Sequence, residues 1–210
     1  MSKRLGQLEQ GIRELREQFL PDPFDPLGQY RDGQRAQAHT RAFLVLSYAE
    51  FESFLEEWAK ELARSAEKLW STRGRIAVPL SFLLSWYDER LAPSDSMASP
   101  GAKDSHQRLA DIVSKLFPAN YKRVKDNHGV KDLNVLRLFG PLGVPSSAFG
   151  TTLLPSLDDL GTVRGAHAHH SARAVLTPLD PETEFKKVDG ILRDLRTLDA
   201  WLVSYMRKVR

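Results

Sequence analysis

The sequence predicts an all-α fold, a helical bundle with a long first core helix and an N-terminal helical appendage. Apolar residues recur at steps of three and four across residues 35–70, which is the spacing of one face of a helix. A second long face of this kind runs from residue 188 to residue 209. No segment alternates apolar and polar residues convincingly, as a half-buried strand would, so the pattern favours a helical bundle.

The first 34 residues are expected to stand apart from the bundle. Residues 2–20 form an amphipathic helix whose apolar face consists of Leu5, Leu8, Ile12, Leu15 and Phe19. Three prolines between residues 21 and 26 end that helix and stiffen the segment that follows. We therefore divide the chain into an N-terminal helix with a proline-rich linker (1–34) and a helical domain (35–210).

Shorter helices are expected between the two long ones. Pro79 opens a helix over residues 80–91, and its predicted core side chains are Phe82, Leu83, Trp86 and Tyr87. Residues 92–103 have the composition of a loop, and Asp104 or Ser105 begins the next helix. Residues 129–144 contain a short helix with Leu133, Leu136 and Phe139. Asp180-Pro181-Glu182 begins the last one, with a capping aspartate before a proline at the first helical position.

The most informative segment is Val163-Arg164-Gly165-Ala166-His167-Ala168-His169-His170, which holds three of the six histidines. Ser156 with Asp159 predicts a helix start just before it, and the helix is expected to cover residues 157–174. Apolar residues at 153, 157 and 160 form a stripe whose continuation reaches Arg164 and His167. A guanidinium on such a stripe either extends to solvent with its stem buried or marks the point where the stripe faces a cleft or a partner.

A basic segment precedes this motif. Residues 103–131 carry seven lysines and arginines against three aspartates, with Tyr121 and His128 interleaved. Such a segment is suited to a phosphate backbone, and a solvated helix face explains it equally well. The candidate contacts to such a backbone are Lys122, Arg123 and Lys125.

Composition excludes several classes of protein. The 210 residues contain no cysteine, so disulfides and cysteine-based zinc sites are ruled out. The start of the sequence has no apolar run of the signal-peptide type, and no stretch reaches the roughly 18 apolar residues that span a bilayer. A cytoplasmic protein without a membrane partner is expected. The net charge of +3 permits an anionic partner without requiring one.

Several segments in order resemble the HEPN superfamily, in particular its RiboL-PSP-HEPN branch. They are the Tyr-Ala-x-x-Glu centre of the long helix, His-Gly-Val-Lys-x-Leu-Asn (128–134), Gly-Pro-Leu-Gly-Val (140–144) and an Arg-x4-His motif in the penultimate helix. Many members of the superfamily read Arg-Asn-x-x-Ala-His at this motif. Arg164, Ala168 and His169 match that pattern, whereas Gly165 replaces the polar residue.

The resemblance implies a metal-independent endoribonuclease that needs no cofactor. An RNA 2′-hydroxyl attacks its own phosphodiester and leaves a 2′,3′-cyclic phosphate and a 5′-hydroxyl. Histidine titrates near working pH and suits either proton-transfer role, and arginine binds phosphate oxygens as a fork. HEPN proteins pair two motifs across a homodimer cleft, which fits Arg164 on an apolar stripe. Arg164 and His169 are the expected catalytic residues, with possible support from His170, His167 and Glu52.

Other interpretations of the motif stay open. Arg164 and His169 lie about 140° apart around an ideal helix, so they converge only through the length of arginine or across a dimer. His170 fits the motif if five residues, instead of four, separate the arginine from the histidine. His167 and His170 share a face as metal ligands would, yet no companion acid is placed by the sequence. Three histidines at an exposed helix C-terminus are also explained by their favourable interaction with the helix dipole alone, in which case they have no catalytic or binding role.

Two classes of function follow from the resemblance. The first is a ribonuclease that acts as a toxin or defence effector and is restrained by an antitoxin or another partner protein. The second is a catalytically inactive HEPN domain that binds RNA or serves in assembly, an alternative that Gly165 favours.

Overall fold

A computed structural model describes residues 2–86, 105–169 and 178–209, with the side chains of 105–106, 166–169 and 208–209 outside the described set. Within these ranges all regular structure is helical, as predicted. The described residues form seven α-helices, in the order α1 (Lys3–Phe19), α2 (Gly33–Arg73), α3 (Val78–Trp86), α4 (Ser105–Lys125), α5 (Asp132–Phe139), α6 (Leu153–His169) and α7 (Pro181–Val209). Two short 3₁₀ helices, Gly140–Leu142 and Ser146–Phe149, connect α5 to α6.

Helix α2 is the centre of the bundle, because each of the other six α-helices packs against it. Asp32 caps its start by accepting a hydrogen bond from the Arg35 N–H (2.9 Å), and Gly74 ends it in the left-handed conformation. Its fully buried side chains include Phe43, Phe51 and Leu62. The long periodic segment of the sequence is therefore the element around which the remaining helices are arranged.

The first helix joins the same core. Leu5, Leu8 and Ile12 are buried, and α1 packs against α2 and α7. Asp199 of α7 is fully buried and accepts hydrogen bonds from the Ser2 N–H (3.0 Å) and the Trp58 indole N–H (3.1 Å). A buried carboxylate needs such donors, and here they tie the start of α1 to α2 and α7.

Helix α7 begins as the sequence predicts. Asp180 accepts a hydrogen bond from the Thr183 N–H (2.8 Å), and Pro181 is the first helical residue. The apolar face that follows is buried and consists of Val188, Ile191, Leu195, Leu198 and Leu202. Both long helices thus contribute a continuous buried face to the core.

Two predicted core aromatics lie at the surface instead. Phe82 is 48% exposed and Trp86 is 56% exposed, whereas Leu83 is buried as expected. The Phe82 ring packs closely on the backbone of Gly143, and the Trp86 ring lies near Gly140. Each ring therefore covers the 3₁₀ turn with one face and leaves much of its surface exposed. Tyr87 and the predicted loop at 92–103 lie outside the described residues.

Two further predictions are corrected by the helix bounds. Leu133 is 60% exposed, because α5 turns Val135, Leu138 and Phe139 toward the core. Helix α6 begins at Leu153, and Ser156 already donates its backbone N–H to the Thr152 carbonyl (3.0 Å). Proline at residue 155 does not prevent this start, since residues of the first turn have no intrahelical N–H partner.

Candidate functional site

The motif helix follows its predicted stripe up to Arg164. Leu153 and Leu157 are fully buried and Leu160 is 5% exposed, and the stripe then reaches the half-buried Arg164. The Arg164 guanidinium carbon lies 5.4 Å from the centroid of the Tyr48 ring, within the range of a cation–π contact. Its Nε is buried and has no hydrogen-bond partner among the described residues. The guanidinium is therefore held against an aromatic face of the same chain.

Tyr48 is fixed by the loop that precedes α5. Its hydroxyl oxygen accepts a hydrogen bond from the Val130 N–H (2.9 Å). Burial raises the pKa of Tyr48, and the positive charge of Arg164 only partly opposes that effect. The phenol is accordingly neutral at physiological pH, and it serves as a rigid aromatic support for the guanidinium.

Gly129 allows this loop to approach Tyr48. Its φ is +138°, a conformation that side chains rarely adopt. A Cβ at this position would lie 2.5 Å from the Tyr48 hydroxyl oxygen and 2.9 Å from Asn134 Nδ2. The loop therefore needs glycine here for two reasons, the backbone angle and the absence of a side chain.

The same loop is bound to α6. The backbone N–H of Asp132 donates to a carboxylate oxygen of Asp158 (2.9 Å), so α6 caps the start of α5. The Lys131 ammonium donates to the Thr162 hydroxyl (3.3 Å), half a turn before Arg164. The segment 128–134, which the sequence singled out only through a resemblance, thus lies next to the motif helix.

Glu52 of α2 completes the described part of the site. Burial raises the pKa of Glu52, the neighbouring Glu56 adds to the increase, and the backbone of Gly129 with the charges of Arg164 and His128 partly opposes it. The Asn127 side-chain amide donates to Glu56 (3.2 Å), to the Gly129 carbonyl (3.0 Å) and, at 3.5 Å, to Glu52. Glu52 therefore shares one electrostatic environment with Arg164 and His128.

The histidines of the motif are less fully described. The backbone of His167 and His169 belongs to α6, while their side chains lie outside the described set. His170 lies outside the described residues altogether. No group of three side chains suited to hold a metal ion occurs among the residues that the structure describes.

Gly165 stands next to Arg164, and the described residues leave space beside it. No described heavy atom lies within 4 Å of the position that a Cβ would take. No described side chain therefore reaches this position to replace the polar group that many HEPN motifs carry there.

The basic residues of α4 divide into two sets. Lys122 and Arg123 line a cavity together with His128 and Arg137, whereas Lys125 is exposed outside that lining. Lys122 pairs with Asp126, and the Arg123 guanidinium donates to the side-chain oxygen Oδ1 of Asn120. Sequence reasoning did not identify Tyr48, Asn127 or Arg137 as site residues, because each was indistinguishable from a core or surface residue in the pattern.

The raised pKa of Glu52 leads to a test of its environment. In the folded protein Glu52 holds its proton to a higher pH than in the unfolded chain, so ionisation above the ordinary value of 4.5 lowers stability. Glu52→Gln keeps the acceptor for Asn127 and removes the charge. We expect the variant to unfold with a larger free energy than the wild type at pH 7–8, and the difference to vanish as the pH falls below about 4.

Urea denaturation across this pH range measures the difference. Glu17→Gln, at an exposed position of α1, controls for the change in net charge. A Glu52→Gln protein that is less stable than the wild type at pH 8, or a difference independent of pH, would contradict the assignment.

Comparison with known families agrees with the resemblance inferred from the sequence. A family model described as RiboL-PSP-HEPN matches residues 7–204. Searches of curated proteins and of solved structures find no match for the chain. Among the described residues no helix is both long and apolar enough to cross a membrane. Because the family model covers nearly the whole sequence and the described fold is all-α, the chain belongs to the RiboL-PSP-HEPN family.

Proposed function

We propose that this protein is a metal-independent endoribonuclease that cleaves RNA at a site formed by Arg164 and His169. Membership of the HEPN class supports a nuclease or an RNA-binding module in general terms. The observation that favours cleavage is the Arg164 guanidinium, which is held on Tyr48, on the helix that also carries His169, and whose buried Nε has no hydrogen-bond partner among the described residues. Such a guanidinium is oriented in advance to bind a phosphate group.

The chemistry needs three contributions. The RNA 2′-oxygen loses a proton to a base and forms a bond to phosphorus, the bond from phosphorus to the 5′-oxygen breaks, and that oxygen receives a proton. Arg164 stabilises the charge that develops on the phosphate oxygens. His169 performs one of the two proton transfers, and the motif of a second copy supplies the other. No metal ion takes part in this scheme.

Incubation of the purified protein with mixed RNA in EDTA tests the proposal. We expect cleavage to proceed with the chelator present and to leave 2′,3′-cyclic phosphate and 5′-hydroxyl ends. Products with 5′-phosphate ends, or cleavage that stops with EDTA, would refute the proposed mechanism. A toxin or defence role, with a partner protein that restrains the cleavage, belongs to the same proposal.

A dimer is part of the proposal, and an exposed surface of α2 supports it. Ala38, Leu46 and Ala49 are exposed and lie on the side of α2 next to the one that carries Tyr48 and Glu52. We expect a homodimer in solution whose interface includes this surface and α6. Sedimentation at micromolar concentration measures the oligomeric state, and Leu46→Glu is expected to shift it toward the monomer. A wild-type monomer under these conditions would exclude a two-copy site.

The second candidate is a catalytically inactive module that binds RNA or serves in assembly, because Gly165 stands where many HEPN motifs carry a polar residue. The open space at this position means that the polar side chain of the usual motif is missing and not replaced by a described neighbour. If the wild type binds RNA with measurable affinity and releases no cleavage product under any condition, this alternative is the correct one.

A further inference from the structure

A cavity of about 530 Å³ lies between the end of α4 and α5, beside the Arg164 site. This volume is within the range of small-ligand sites, about 300–1,000 Å³. Among the described residues, its charged lining consists of Lys122, Arg123 and Arg137 against one carboxylate, Asp126, and His128 adds an imidazole. Three cations against one carboxylate favour an anionic ligand.

The cationic side chains suit a phosphate group in particular. Arg137 lies in the last turn of α5 and is exposed, and a guanidinium binds two phosphate oxygens as a planar fork. Lys122 pairs with Asp126, and an ammonium has three donors, so this pair leaves donors for a ligand. The cavity thus offers a phosphate group both the planar guanidinium of Arg137 and the ammonium of Lys122.

Two amide side chains make the lining suitable for more than a bare anion. Asn127 and Asn134 both border the cavity. Asn127 already donates its two N–H groups within the protein, so it can offer a base only its side-chain oxygen as an acceptor. The Asn134 amide has two N–H donors, one of which makes a 3.5 Å hydrogen bond to the His128 carbonyl, and it therefore presents a donor together with an acceptor. RNA-binding proteins recognise unstacked bases by such hydrogen bonds to their edges. A nucleotide satisfies this lining better than inorganic phosphate does.

The cavity and the Arg164 site have a common neighbour. Asn127, in the cavity wall, donates to Glu56 at 3.2 Å and to Glu52 at 3.5 Å. Glu52 lies one turn of α2 from Tyr48, on whose ring the Arg164 guanidinium rests (5.4 Å), and His128 also borders the cavity. A strand bound at Arg164 therefore has the cavity next to it along the surface of α2.

We propose that this cavity binds a nucleotide of the RNA strand adjacent to the phosphodiester at Arg164, with Arg137 and Lys122 holding its phosphate. The inference rests on the proposed function, because it extends the RNA contact beyond the reacting phosphate. It also distinguishes Lys122 and Arg123, which line the cavity, from Lys125, which only adds charge near the strand.

Substrate length provides the first test. We measure kcat/KM on a dinucleoside monophosphate, which contains only the reacting phosphate, and on two trinucleotides extended by one nucleotide on the 5′ or the 3′ side. Arg137→Ala is expected to lose about 10- to 100-fold on one trinucleotide and nothing on the dinucleotide. Arg13→Ala, an exposed arginine of α1, should match the wild type on all three. An equal loss on every substrate, or no loss on any, would overturn the inference.

Binding provides a second test that does not depend on cleavage. A short labelled single-stranded RNA is titrated against the wild type, Arg137→Ala and Arg13→Ala over a range of salt concentrations. Arg137→Ala should weaken binding and reduce the salt slope by about 0.7 for one lost phosphate contact. Unchanged affinity and slope would refute the cavity assignment while leaving cleavage at Arg164 intact. If Arg137→Ala shows the expected loss of RNA binding while the wild type cleaves no RNA, the cavity assignment is supported and the nuclease proposal is refuted.

A competition experiment separates a strand site from a site for free nucleotides. A nucleoside monophosphate is added to the preformed RNA complex. We expect displacement only at concentrations far above those of an unlabelled RNA competitor. A monophosphate that competes as well as the RNA itself would show a mononucleotide site and overturn the proposal.

Discussion

Arg164→Ala and His169→Ala are each expected to lower RNA cleavage by about 10² to 10⁴-fold while leaving the fold intact. Loss of a general acid or base typically has this effect, and loss of the phosphate fork should cost a comparable factor. Both residues belong to α6 beyond its first turn, and alanine is the best helix former, so neither change weakens the helix. Cleavage of a labelled RNA and thermal unfolding are measured on each variant.

Matched variants make this result specific. Arg164→Lys keeps the charge and loses the planar fork, so it should remain well below the wild type. Arg13→Ala removes an exposed arginine far along the chain and should cleave normally. Arg164→Ala that cleaves at the wild-type rate would remove the guanidinium from the mechanism.

His170→Ala distinguishes the two possible spacings of the motif. We expect a milder loss than for His169→Ala, since the resemblance assigns the catalytic role to His169. Activity that survives His169→Ala and stops with a chelator would instead support a metal site at His167 and His170. That outcome would contradict the metal-independent mechanism as a whole.

The sequence predicts the long helices well because their burial is periodic. In α2 and α7 the apolar residues at steps of three and four are the buried ones, and the capping aspartates at 32 and 180 fix both starts. Short helices gave poorer predictions. In α3 and α5 an exposed side chain such as Trp86 or Leu133 has the same chemistry as a core residue, and only tertiary packing decides which of them is buried.

The candidate site was only half predictable for a related reason. Arg164 is anomalous in the sequence, because a guanidinium interrupts an apolar stripe. Tyr48 is not anomalous, since it belongs to the core face of α2 and is 7% exposed. Its role as the support of Arg164 comes from a contact between residues far apart in the chain, which no local pattern contains.

The close approach at Gly129 leads to the last prediction, a large loss of stability in Gly129→Ala. The alanine methyl group would meet the Tyr48 hydroxyl oxygen at 2.5 Å, and the backbone φ of +138° is unfavourable for any side chain. Strain of this kind costs about 1–3 kcal/mol. Displacing Tyr48 also leaves the buried Val130 N–H without its acceptor, at a cost of about 1–3 kcal/mol. We expect the free energy of unfolding to fall by roughly 3 kcal/mol or more in urea denaturation.

Two further variants separate the contact from the backbone strain. Gly74 also has a positive φ, +60°, in the ordinary left-handed region, and no described atom beyond its chain neighbours lies within 4 Å of the methyl group that Gly74→Ala would add, so the loss of stability in this variant should be about 1 kcal/mol. Tyr48→Phe removes the oxygen that the methyl group would meet. Because the two substitutions act on the same contact, the double variant Gly129→Ala/Tyr48→Phe should lose less stability than the sum of the single losses. Strictly additive losses would mean that the loop does not press on Tyr48, and the support of Arg164 would then need another explanation.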